Sequence, residues 1–242
     1  MRIILFFTLL LALGDNNAVA QTLSLDMGEG GGQVTSRILQ LIALITVISL
    51  APSILVMVTS FTRIVVVFSF LRTALGLQQT PPNSVIISLS LFLTMFIMQP
   101  VFMESYNKGL KPLMDEEITE EEAIEPTIAP FKVFMLQNVR EKDLGLFFEL
   151  SDTKVPEKIE ETSLRILIPA FMISELRRAF EIGFLLFIPF LIIDLMVAST
   201  LMAMGMMMLP PVLISLPFKL IFFVLIDGWY MVVGSLVKSF GG

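Results

Sequence analysis

Three observations predict an all-α integral membrane protein: the hydropathy of the chain, its long charge-free runs, and the confinement of most of its charge to one segment. Of 242 residues, 55% are hydrophobic and the mean hydropathy is +0.86, well outside the composition of soluble domains. No charged residue occurs in Ile38–Thr62, Thr73–Met103 or Leu195–Phe218. Glu104–Glu161 holds 15 acidic and 7 basic residues, a net charge of −8 that exceeds the −6 of the whole chain. The architecture expected is a set of helical hairpins with about four apolar spans, plus one small acidic helical domain outside the bilayer. There is no cysteine and no histidine, which excludes disulfides, thiolate nucleophiles and imidazole bases. An acidic extramembrane part argues against nucleic acid, whose phosphates require a basic surface. No cofactor is expected, and nothing assembles nucleophile, base and oxyanion donors, so the chain does not read as an enzyme.

Taken in order, residues 1–20 read as a signal peptide. Arg2 precedes the apolar run Ile3–Leu13, and Ala18-Val19-Ala20 makes a small-residue cleavage site; an uncleaved anchor is the alternative. Cleavage would place the acidic domain in the periplasm. Residues 21–36, with Gly28, Gly30, Gly31 and Gly32, form a flexible polar lead. Residues 37–103 form a first membrane hairpin: a span over Arg37–Val58 and a second over Val85–Met103, capped by Asn83 or Ser84 after the breaker GLQQTPP. Arg63 and Arg72 are nine residues apart and would leave opposite sides of any helix containing both. They read as positive-inside flanks or as contacts to a neighbouring subunit.

Residues 104–164 form the acidic periplasmic domain. Asp115–Glu125 with Pro112, Pro126 and Pro130 reads as a solvated connector without a metal-ligand grouping, a calcium site being the alternative. From Phe131 the pattern becomes amphipathic: Phe131, Phe134, Met135 and Val139 recur at helical spacing, and aromatics follow the turn-like Asp143 and Gly145. Some sixty residues bury little by themselves, so these aromatics are expected to pack on another chain.

Residues 165–242 form a second hairpin. Pro169 suits the first turn of its helix, where Glu175, Arg177, Arg178 and Glu181 stand three or four apart and can pair. Beyond Ile182 only Asp194 interrupts the apolar run before Gly205, Met206, Met207, Met208 and the double proline Pro210-Pro211. Folding the hairpin at that turn brings Asp194 and Lys219 to similar depth, which predicts a neutralising intramembrane ion pair. The competing reading makes Asp194 or Asp227 a proton carrier. Methionine is flexible and polarizable, so Met206–Met208 are either apolar filler or, around an axis of several copies, a soft ring that seals a pore.

The stretches PSILVMVTSFTRIVVVFSFLRTALG (Pro52–Gly76), PAFMISELRRAFEIGF (Pro169–Phe184), FIPFLIIDLMVASTLMAMGMMMLPP (Phe187–Pro211) and LPFKLIFFVLIDGW (Leu216–Trp229) resemble the FliP family of the type III secretion export apparatus. The resemblance covers essentially all of the mature chain and extends to REKDLGLF (Arg140–Phe147). Ser84 stands where a glutamine is expected, and the acidic loop and Gly-rich start match no fixed pattern. The resemblance implies a non-enzymatic homo-oligomer of about five copies closed into a ring-like helical channel, assembled with FliQ, FliR and FlhB. That complex would pass unfolded flagellar proteins across the bacterial inner membrane at the flagellar basal body. The family's methionine loop falls on Met206, Met207 and Met208, and its subunit contacts match Phe134, Phe147 and Glu175. A cleaved signal and four spans would put Arg165, Arg177 and Arg178 outside, against the positive-inside tendency. A ring raised towards the periplasm, as the resemblance implies, removes that conflict.

Overall fold

The computed structural model describes residues 31–241 except 157, 207 and 208, and among them every regular element is helical. The expected signal peptide and the first ten residues of the expected lead lie outside the described residues. Residues 31–36, expected to be irregular, instead form the start of helix α1 (Gly31–Met57). Past the two glycines nothing in Gln33–Ser36 breaks a helix, so the helix nucleated by the apolar run extends backward. The chain divides into two units, residues 1–49 and 50–242. In the first, α1 exposes Leu39, Ile42 and Ile45.

The second unit continues with α2 (Phe61–Ala74), α3 (Asn83–Ser105), a π-helical turn (Tyr106–Leu110), α4 (Lys111–Met114), α5 (Glu120–Asn138), α6 (Glu141–Leu150), a 3₁₀ turn (Ile159–Glu161), α7 (Leu164–Ala203), α8 (Pro211–Leu225) and α9 (Gly228–Lys238). Two helices among the described residues are long and apolar enough to cross a membrane: the continuous Asn83–Met114, of 32 residues, and α7, of 40. A third results if α8 and α9, bent by 62° at their junction, count as one broken span. About four spans were expected. The remaining expected span, Arg37–Val58, falls in α1 (Gly31–Met57), whose described residues include the apolar stretch Ile38–Leu50; α2, with 14 residues, is about 21 Å long against a bilayer core near 30 Å.

Several local expectations are corrected. Pro169 does not start its helix; α7 begins five residues earlier, where the Ser163 side chain accepts from the Arg165 N–H at 3.4 Å. Asn83 does not cap α3, because its Oδ1 accepts from Arg72 at 2.6 Å. The acidic connector is partly helix: a capping box between Thr119 and Glu122 opens α5, which runs through Pro126 and Pro130. Each proline removes one backbone bond, and burial of Phe134 and Met135 offsets the loss. Asp143 and Gly145 are helical, and the break falls at Val139–Arg140.

α7 is the spine on which α2, α5, α6 and α8 pack. α2 buries Ile64, Val67, Phe68 and Leu71, the i, i+3, i+4, i+7 stripe of a helix covered on one face. It joins Ile86, Phe190, Phe223 and Leu236 in one apolar cluster. A second cluster unites Met98 of α3, Phe134 and Met135 of α5, Leu144 and Phe148 of α6, and Phe171 of α7. α2 and α7 run in the same direction, since Arg63 meets Glu175 and Phe70 meets Phe180 further along. They approach closely at Gly183, where a Cβ would stand 2.6 Å from the Phe70 ring.

Candidate functional site

The helix that ends in the methionine turn carries two buried polar clusters. α2 is joined to both. At its start Arg63, fully buried, faces the equally buried Glu175 of α7. The Nε of Arg63 donates to Glu175 Oε2 at 2.8 Å, and Nη2 donates to Glu175 Oε1, giving a two-pronged pair. Nη2 also reaches Asn138 Oδ1 at 3.3 Å, while Nη1 donates to the Ser239 carbonyl and hydroxyl at 3.1 and 2.9 Å. Desolvating two charges is costly unless their remaining hydrogen-bonding groups are satisfied, and these partners satisfy them. Beside this pair, Ser174 Oγ lies 2.7 Å from Asp143 Oδ2 and accepts the Arg140 N–H at 3.0 Å. That contact fixes the start of α6 on α7.

At the far end of α2, Lys219 of α8 donates to the Ala74 carbonyl at 3.2 Å. This carbonyl is one of the last-turn acceptors a helix leaves without an internal partner. Lys219 Nζ also lies 2.6 Å from Asp194 Oδ2, and Ser215 Oγ donates to Asp194 Oδ1 at 2.5 Å. Asp194 and Lys219 are therefore brought together, α7 against α8.

The methionine turn is built by glycine. Gly205 has φ +74°, a conformation that strains other residues. Its N–H donates to the Met202 carbonyl at 3.0 Å, and the Met206 N–H donates to the Leu201 carbonyl at 2.9 Å. Those two bonds close α7 with a Schellman motif, and Pro210 and Pro211 then start α8. Gly76, with φ +76°, ends α2 in the same way. Met206 is half exposed; Met207 and Met208 lie outside the described residues. A groove of about 490 Å³ runs between α7 and α8 behind this turn, lined by Ile193, Met196, Leu201, Met204, Phe218 and others.

Of the residues matched to subunit contacts, Glu175 is spent on Arg63 and Phe134 is buried against Phe171 and Phe240. Phe147 is half-buried. The aromatics of this region were expected to pack on another chain; within this chain Phe134 and Phe148 are buried in the second apolar cluster, and Phe131 and Phe147 pack against it. Glu175 does not pair with Arg178, although Arg177 and Glu181 pair at 2.8 Å on the exposed face. Asp227 is exposed in a left-handed conformation at the α8–α9 bend. Among the described residues no group of three or more acidic side chains is placed to hold a metal ion. Sequence reasoning missed the partners of Arg63. The available signal was a lone arginine in an otherwise charge-free stretch, which needs a buried counter-charge if the stretch is covered.

The FliP family profile matches residues 44–236. The flagellar biosynthetic protein FliP of Caulobacter vibrioides is 61% identical over 224 residues, covering 92% of this chain and 84% of that protein. The Bacillus subtilis protein of the same name is 55% identical over 205 residues, covering 85% of this chain and 93% of that protein. That of Rhizobium meliloti is 53% identical over 211 residues, 86% of each.

Proposed function

The chain belongs to the FliP family, structural components of flagellar export rather than enzymes, and on that premise we propose that it is a core channel subunit of the flagellar type III export gate. About five copies close into a ring, joined by FliQ, FliR and FlhB, and conduct unfolded flagellar proteins across the bacterial inner membrane. The acidic segment 104–164 stands on the periplasmic side. Phe147 is offered directly to a neighbouring subunit, and Phe134 and Glu175 hold the face that presents it. Asp194 and Lys219 neutralise each other within the membrane.

The observation that carries this reading is the turn after α7. A Schellman cap and two prolines end the longest apolar helix and leave Met206 exposed. Repeated around an axis, a loop of three methionines is a deformable apolar gasket that excludes water and yields to a passing chain. The test replaces Met206, Met207 and Met208 together by alanine and follows ion leakage across the inner membrane while assembly is monitored. An assembled but leaky complex supports a gasket; full assembly without leakage removes the assignment. The alternative, an ion-coupled transporter subunit using Asp194 or Asp227, has less behind it. Asp194 is engaged by Lys219 and Ser215, and a carrier reading requires Asp194→Asn or Asp227→Asn to abolish transport in an assembled complex.

A further inference from the structure

The chain end beyond α9 makes a contact that the proposed gate does not use. Ser239 and Phe240, both half-buried, close over Arg63. The guanidinium carbon lies 3.6 Å from the centroid of the Phe240 ring, in the geometry of a cation–π contact. The same ring stacks on Phe134, with centroids 6.0 Å apart and planes at 21°. Phe240 packs against both apolar clusters.

Arg63 makes this contact consequential. Its Nε and Nη2 are held by Glu175 and Asn138, but among the described residues Nη1 finds its partners only on Ser239. With the tail displaced, water would reach the pair and weaken it through the higher dielectric. The Arg63–Asn138 bond is also the one side-chain hydrogen bond joining α2 to α5 among the described residues. α9 follows a sharp bend and anchors in the first cluster through Val232 and Leu236.

We infer that Ser239 and Phe240 form a clasp over Arg63. Closed, it locks the end of α5 onto α2 and α7. Open, it admits water to the Arg63–Glu175 pair and frees α5 and α6 to change their angle to α7.

Amide hydrogen exchange on the full chain in detergent micelles tests this. Removing the ring in Phe240→Ala forfeits a stacking and a cation–π contact, so exchange at residues 134–145 is expected to rise about tenfold or more, with Asn83–Ser105 unchanged. Phe240→Leu fills the apolar space without a ring face and is expected to loosen the same residues. Phe240→Trp keeps a ring and is expected to preserve protection. A leucine variant as protected as the parent chain, or a rise spread evenly along the chain, overturns the clasp and leaves Phe240 as apolar filling. Should the alanine variant fail to accumulate, the leucine and tryptophan variants decide the matter by themselves.

Discussion

Two ion pairs hang from one helix, 19 residues apart on α7, and they are enclosed differently. Glu175 and Arg63 are both fully buried, and their partners come from α2, α5, α7 and the chain end. Asp194 keeps 27% of its side chain exposed against a Lys219 that keeps 4%, and its other partner, Ser215, lies on the same short helix as Lys219. The first pair is a junction of four distant segments. The second is the internal bond of one hairpin, with a single tie to the end of α2. A charge sealed on every side has no water to fall back on when its partner is lost, whereas a partly open carboxylate does.

The largest expected effect breaks the first pair. Arg63→Ala or Glu175→Ala leaves an uncompensated buried charge and is expected to cost on the order of 3–5 kcal/mol, read as lost accumulation or a lowered midpoint of thermal unfolding in detergent. Arg63→Met combined with Glu175→Leu should recover much of that loss, since a buried pair replaced by apolar residues is often near neutral. If the double variant is no better than either single one, the pair is doing something other than satisfying itself.

Asp194→Asn at the second pair is expected to cost about 1.5–3 kcal/mol, the range for a hydrogen bond to a charged group. Reversing Asp194 and Lys219 together should restore assembly lost in either single reversal. A double reversal as defective as its parents would show that Ser215 and the Ala74 carbonyl fix the orientation of the pair.

Between the two pairs, Gly183→Ala drives a Cβ into the Phe70 ring. Overpacking of this kind costs about 1–3 kcal/mol. Phe70→Leu in the same chain should relieve it, and a midpoint that does not recover would place the strain elsewhere on α7.

The smallest effect lies outside both pairs, at the start of α5. The Thr119 N–H and hydroxyl, both donating to Glu122 at 2.9 Å, hold its carboxyl below the usual carboxylate range. A folded-state pKa below the unfolded one means stability present above the unfolded value and lost as pH falls through the folded one. Circular dichroism should show slight fraying of helix on acidification, flattened in Glu122→Gln. An identical acid profile in that variant would assign the loss to other carboxylates.

Much of this molecule was legible before folding. The methionine turn was marked by Gly205 and two prolines, because the left-handed residue and the missing N–H are properties of single residue types. Asp194 and Lys219 could be set opposite each other because both lie on arms of one turn, so helical rise alone brings them level. Arg63 read as a positive-inside flank or as a contact to a neighbouring subunit, and its partners within the chain were not foreseen. Its partners lie 75, 112 and 176 residues away, and no periodicity spans such distances. The start of α7, five residues ahead of Pro169, was also missed. Proline at the first turn is a preference, and a serine cap at Ser163 overrode it.

The sequence by itself determined the helical class, the apolar runs and the glycine-closed turns, since each follows from backbone preferences or regular spacing over a few turns. Only the tertiary structure decided that Phe134 and Glu175 face inward, that α2 runs alongside α7 in the same direction, and that the chain end closes on Arg63. Those depend on which distant surfaces exclude water from one another, a choice made by the assembled packing rather than by any local stretch of residues.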